Sequence, residues 1–243
     1  LGMPDSLRQA IITAIDEAVH YPDHYCRKLR ALLAEQLDCE AAEIVCGNGA
    51  ADLIFRAVGA LKPQKALLIA PAFSEYEAAL KQNGVEIVYY DLEETKDFRL
   101  QEDFLFFLAD IRPDMVFLCN PHNPSGNVVE KNFMWQIAVE CQKIDSMLII
   151  DECFYDFWLD GENQSLLSSR ENFDHMLILR AFTKMYAMAG VRLGYLVSAN
   201  RSLVAQIAET GQWWSVSHLA QAAGCAAVKE KTFAMQSRLL IAE

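Results

Sequence analysis

The chain has 243 residues, 53% of them hydrophobic and 22% charged, a composition close to that of ordinary globular proteins, which excludes disorder and collagen-like structure. At roughly 150 residues per domain that is about 1.6 domains. Folding on this scale buries roughly 70–75% of the unfolded surface, so no disulfide or metal is needed to supply a core. Lys and Arg number 21 against 33 Asp and Glu, a net charge of −12, which repels polyphosphate backbones and anionic membrane surfaces. Nucleic acid is therefore not an expected partner.

The seven cysteines, at 26, 39, 46, 119, 141, 153 and 225, include no C-x-x-C pair, which argues for a reduced, cytoplasmic compartment and against zinc ribbons or redox dithiols. No run approaches the roughly 18 apolar residues of a membrane helix, and Leu1-Gly2-Met3-Pro4-Asp5 has no leader pattern. The expectation is a protein neither exported nor membrane-spanning. The chain opens without methionine and ends in an uncapped helical pattern, Leu239-Leu240-Ile241-Ala242-Glu243, so a piece of something longer is expected.

Behind Pro4-Asp5-Ser6, apolar residues at Leu7, Ile11, Ile12, Ile15 and Val19 predict a first helix. A second is predicted over 25–37, with Leu29, Leu32, Leu33 and Leu37 on one face. Short apolar runs follow at 43–46, 66–70, 85–90, 115–119, 147–150, 176–179 and 193–197. Amphipathic stretches at 52–61, 75–82 and 133–143 separate several of them. Apolar strands alternating with helices indicate a three-layer α/β/α architecture on a seven-stranded, mostly parallel sheet. Only 13 residues separate Leu179 from Leu193, short for a helical crossover, so the seventh strand is expected to be antiparallel. A helix over 201–210 and the Trp213-Trp214 turn then lead into 217–228 and the terminal helix.

In open α/β sheets ligands bind beyond the carboxyl ends of the strands. The first strand ends in Gly47-Asn48-Gly49-Ala50-Ala51-Asp52, where a helix N-terminus could take a phosphate. Asp52 replaces the third glycine of a dinucleotide fingerprint, so a phosphate site and a plain tight turn are both open. Phe73 follows the second strand, as a core aromatic or a stacking surface. Asn120-Pro121-His122-Asn123-Pro124-Ser125-Gly126 follows the fourth. Its prolines make a stiff turn that could equally hold an amide towards a ligand. Asp151-Glu152 ends the fifth strand, as in nucleotide hydrolases, but none of the eleven glycines precedes a lysine, so no P-loop supports that reading. The sixth strand ends in Arg180-Ala181-Phe182-Thr183-Lys184, with Arg192 eight residues on. Lys184 alone reads as a surface lysine. Together, a helix N-terminus, an arginine, an aromatic ring, an amide, a carboxylate and an amine are the set that pyridoxal phosphate requires.

Asn120 to Gly126, Asp151 to Phe157 and Thr183 to Tyr195, in this order and spacing, resemble the fold-type I aminotransferases over Leu1 to about Ser217. The resemblance implies pyridoxal 5′-phosphate as cofactor, with Lys184 as its Schiff-base lysine and proton shuttle and Asp151 paired to the ring nitrogen. It also implies that Asn123 contacts the ring hydroxyl, that Phe73 stacks on the ring, and that Thr183, Arg192 and the backbone of Ala50 and Ala51 hold the phosphate. Tyr21 is similar to the tyrosine that reaches the neighbouring subunit's phosphate, which implies a homodimer with shared active sites. Phe154 and Ala181 depart from the pattern, standing where many members carry hydroxyls.

Two branches resemble the chain, histidinol-phosphate aminotransferases and L-threonine-O-3-phosphate decarboxylases of cobalamin synthesis. Leu1-Gly2-Met3-Pro4, Phe73-Ser74-Glu75-Tyr76, Phe154, Thr183-Lys184-Met185-Tyr186 and Trp214-Ser215-Val216-Ser217 look more like the decarboxylase. A small phosphorylated amino acid or amine is the implied substrate. Its carboxylate anchor in the family is an arginine of a C-terminal small domain, with no counterpart found here. The resulting division is an N-terminal helical segment (1–40), a large cofactor-binding domain (41–212) and the start of a helix towards the small domain (213–243).

Overall fold

A computed structural model describes residues 2–159 and 164–242, so Leu1 of the opening motif and Glu243 of the terminal pattern lie outside the described residues. In chain order the elements are α1 (Asp5–Ala14), α2 (Arg27–Leu37), β1 (Ile44–Gly47), α3 (Gly49–Leu61), β2 (Lys65–Ala70), α4 (Ser74–Gln82) and β3 (Glu86–Asp91). Then follow α5 (Phe104–Ile111), β4 (Met115–Cys119), α6 (Lys131–Lys143), β5 (Met147–Asp151), β6 (Met176–Ala181), β7 (Gly194–Val197), α7 (Arg201–Thr210), α8 (His218–Ala227) and α9 (Lys231–Ala242).

The strands form one sheet in the order β1-β7-β6-β5-β4-β2-β3. β2 pairs in parallel with β3 and β4, as do β4 with β5 and β5 with β6. β7 runs antiparallel to both its neighbours, β1 and β6, as the short connection before it predicts. Central strands are apolar without a break because alternate side chains feed opposite buried faces. Leu67, Val116, Leu118, Leu148 and Ile178 belong to one core cluster, together with residues of α2, α6 and α8. Leu68, Phe117, Ile149, Leu177 and Leu179 belong to the other, with residues of α3, α4 and α7. The layered α/β/α expectation holds. At the far edge β3 carries Glu86 and Asp91 exposed, charges that blunt edge-to-edge pairing.

Two local differences stand out. The predicted first helix stops at Ala14 and a 3₁₀ turn covers Asp16–Val19, because Ile15 and Val19 are exposed rather than packed. α5 was not anticipated: Phe104-Leu105-Phe106-Phe107-Leu108 has no polar face to give a helical period. The expected 217–228 segment and terminal helix are present as α8 and α9, and α8 packs against α1.

Candidate active site

At the carboxyl edge of the sheet, one cleft is lined by Ala50, Ala51, Phe73, Asn123, Asp151, Thr183, Lys184 and Arg192. Eight of the nine residues expected at the site thus converge, seven from at or beyond the ends of five strands and Arg192 from just before β7. The ninth, Tyr21, is outside the cleft, 77% exposed and stacked on Trp214 at 4.4 Å between centroids. A larger cleft between His24, Arg30, Arg201 and Trp213 holds no lysine, so chemistry rather than volume singles out the first.

The β1–α3 turn makes an anion cradle. In the first turn of α3 the amides of Gly49, Ala50 and Ala51 have no carbonyl one turn back to bond. Asn48 N–H is already taken, by Asp52 Oδ2 at 2.8 Å. Asp52 also pairs with Arg56 at 2.6 Å, and Arg56 bonds Ser215 Oγ at 2.6 Å. The residue that breaks the dinucleotide fingerprint is therefore turned away into a cap and ion pair. Gly49 has φ +83°, and a Cβ there would lie 2.6 Å from Arg192 Nη2. A Cβ on Gly194 would lie 2.7 Å from the Ala50 nitrogen. Only glycine at both points lets the helix N-terminus, β7 and the guanidinium close on one small volume.

Arg192 reaches it from a left-handed backbone, φ +61°, a conformation that costs a non-glycine residue on the order of 1 kcal/mol or more. Its recorded hydrogen bond is Nη1 to the Ala189 carbonyl at 3.2 Å. Lys184 Nζ lies 5.4 Å from the Phe154 ring centroid. Among the described residues neither cation is in an ion pair. Two uncompensated cations above one carboxylate, in a chain of net charge −12, make a local attractor for an anionic ligand.

The two Asn-Pro dipeptides divide the work that the sequence left open. Asn120 is spent on its own loop, donating to Val129 O at 3.0 Å and accepting from Val129 N at 2.9 Å. Asn123 lines the cleft. His122 Nδ1 lies 2.8 Å from Ser125 Oγ, and burial lowers its pKa below the usual imidazole value.

Asp151 sits at the floor, 5% exposed. Its Oδ1 accepts from Cys153 N at 2.9 Å and its Oδ2 from the Tyr76 phenol at 2.5 Å. Tyr76, Cys119 and Cys153 all line the cleft and were missed from the sequence. Tyr76 had a signal: at i+3 from Phe73 on the opening of α4 it must face the same way. Burial, reinforced by the charge of Asp151, pushes the Cys119 thiol up to about 12 and the Cys153 thiol well above its ordinary value. Both stay neutral thiols.

Residues 3–240 match the family described as aminotransferase class I and II. Threonine-phosphate decarboxylase of Salmonella typhimurium is 36% identical over 235 residues, covering 96% of this chain and 63% of the relative. Histidinol-phosphate aminotransferase of Desulfitobacterium hafniense is 32% identical over 250 residues, 100% of this chain and 67% of the relative. The crystal structure of histidinol-phosphate aminotransferase from Clostridium acetobutylicum superposes with a TM-score of 0.89 at 29% identity, over 98% of this chain and 69% of that one. The chain thus spans less than two thirds of the length of the Salmonella relative. With the match running over nearly every residue and the sheet in common, the chain belongs to the class I and II aminotransferases, a family of pyridoxal-phosphate-dependent enzymes.

Proposed function

We propose that the cleft holds pyridoxal 5′-phosphate and that the enzyme decarboxylates L-threonine O-3-phosphate to aminopropanol phosphate, a step of cobalamin synthesis. The observation that carries the cofactor reading is the convergence of Lys184, Asp151 and Arg192 on one cleft, uncompensated by ion pairs among the described residues. The donor set fits the group part by part. Three first-turn amides, Arg192 and Thr183 suit a dianionic phosphate. Phe73 offers a stacking face, Asn123 an amide for the ring hydroxyl, Asp151 a carboxylate for the ring nitrogen, and Lys184 an amine for the aldehyde carbon.

When bound, the cofactor supplies a cationic ring that draws off the electron pair released at the carbon bearing the substrate's amine. The protein's own residues decide what happens next. Asp151 keeps the ring nitrogen protonated, since a neighbouring carboxylate favours the charged form. With the cofactor bound, Phe73 and the phosphate cradle would hold its ring in one orientation towards the substrate. Lys184 Nζ moves the proton, delivering one to the carbon after carboxylate loss or, in an aminotransferase, removing one from it.

Support for the decarboxylase comes from the 36% identity to the Salmonella enzyme and from the motifs around Phe154 and Thr183. The high structural likeness to a histidinol-phosphate aminotransferase keeps transamination as the second reading. We take residues 41–212 as the cofactor-binding domain, flanked by the helical segment 1–40 and by 213–243 leading to a small domain. The exposed stacks Tyr21 on Trp214 and His24 on Trp213 are taken as the face covered by a second copy in a cytoplasmic homodimer. The test incubates the cofactor-loaded protein with threonine phosphate, and separately with histidinol phosphate plus 2-oxoglutarate. Carbon dioxide and aminopropanol phosphate from the first, without glutamate from the second, is the expected result; glutamate formation overturns it.

A further inference from the structure

We propose that Tyr76 is a positioning residue for Asp151, one that fixes the orientation of the carboxylate facing the cofactor's ring nitrogen and engages one of its oxygens. The inference rests on the pyridoxal-phosphate reading of the cleft. Tyr76 is 2% exposed, stacked on Phe117 at 4.7 Å and edge-on to Phe73 at 5.6 Å. Phenylalanine would serve this packing as well, without the cost of burying a hydroxyl. What the hydroxyl adds is the 2.5 Å bond to Asp151 Oδ2.

The direction of that bond follows from the surroundings. Burial, and then the charge of Asp151, push the Tyr76 phenol well above its ordinary value, so it donates throughout the working pH range. The titratable groups that line the cleft with Asp151 come from five places: Tyr76 of α4, Cys119 of β4, Cys153 after β5, Lys184 after β6 and Arg192 before β7. Both thiols are neutral. With Oδ1 on the Cys153 amide and Oδ2 on the phenol, the carboxylate cannot rotate, and part of its charge is already engaged by two donors before the ring nitrogen meets it. The proton shared with the ring nitrogen is then held less tightly than by an undecorated carboxylate. Tyr76 thereby adjusts the strength of the electron sink without touching the cofactor.

The experiment titrates the cofactor-loaded protein carrying pyridoxal phosphate labelled with ¹⁵N in its ring, following the nitrogen's NMR shift. Tyr76→Phe is expected to raise the pH at which the ring loses its proton by about one unit, a roughly tenfold change. 3-Fluorotyrosine at position 76, a stronger donor of nearly the same shape, is expected to lower it. Tyr76→Phe placed on Asp151→Asn is expected to move nothing. A midpoint unmoved in the fluorotyrosine protein overturns the proposal even where Tyr76→Phe fails to fold, because a packing role predicts no shift of opposite sign. Borohydride reduction and mass spectrometry of the Lys184 peptide separate the two levels. Without a cofactor adduct the reading of the cleft falls and this inference with it; with an adduct and an unmoved midpoint, this inference falls alone.

Discussion

Two kinds of charged region stand within a few residues of each other on this sheet. Glu43 pairs with Arg170 at 2.6 Å, both buried, and Arg170 also bonds backbone carbonyls of Leu167 and Asp38. Glu152 pairs with Arg180 at 2.7 Å and accepts from Ser165 Oγ at 2.6 Å, while Arg180 lies over the Tyr155 ring. Each of these charges is answered within the fold. One residue before Glu152, Asp151 turns to the opposite face and meets only neutral donors, and the cations beside it, Lys184 and Arg192, meet no carboxylate among the described residues. A buried pair of opposite charges holds segments together; charges gathered in a cleft and left unanswered are held for a ligand.

The sharpest way to break this contrast is to remove a charge of each kind. Lys184→Ala is expected to abolish the visible band of bound cofactor and lower turnover by about 10⁴-fold or more. Its unfolding free energy in urea should stay within about 0.5 kcal/mol of the parent's; a large loss of stability would mean that the cleft cation is structural after all. Glu43→Gln should do the reverse, costing about 3–5 kcal/mol because Arg170 is left buried without its partner. Urea unfolding measures that loss, and cofactor affinity per folded molecule is expected to hold.

Smaller effects sharpen the same division. Arg192→Ala should weaken pyridoxal phosphate by about 10–100-fold, the worth of one hydrogen-bonded charge, with little change for pyridoxal lacking the phosphate; fluorescence titration of both ligands distinguishes the two. His122 gives the smallest expected effect. Its folded pKa lies below its unfolded value of 6.5 because burial disfavours the imidazolium, so the unfolded chain binds more protons in that range. Stability is then full above about pH 6.5 and falls as the pH drops through the folded value. His122→Asn should flatten that slope in thermal melts taken from pH 7.5 to 5.

Much of this was legible because the relevant signals are local. Every strand core is an apolar run, and predicted and observed strands agree to within a residue or two at each end. Asp151 stood out as a candidate because it ends such a run, whereas Lys184 and Asn123, three and four residues beyond β6 and β4, stood out only as members of the combined set. What stayed hidden depends on partners far along the chain. The Tyr76 bond to Asp151 spans 75 residues, and nothing near Asp52 announces that it turns away to Arg56 and, through it, to Ser215. Asn120 and Asn123 look alike in sequence, and only the Val129 backbone separates their roles. The neighbourhood of β1 was equally invisible, since hydrogen-bond pairing leaves no trace in the strand's own residues.

That neighbourhood bears on how the protein is made. Among the described residues β1 pairs with β7 alone, Ile44 against Val197, a separation of 153 residues. At ribosomal speeds of about 5–20 residues per second, roughly 8–30 s pass between the two. Throughout that interval Ile44, Val45 and Cys46 wait as an unclaimed apolar edge, and the cradle beside them cannot close until Gly194 arrives against Ala50. The nascent chain is therefore most exposed to misassembly before its first strand has a neighbour, and a holding chaperone would be needed most in that window.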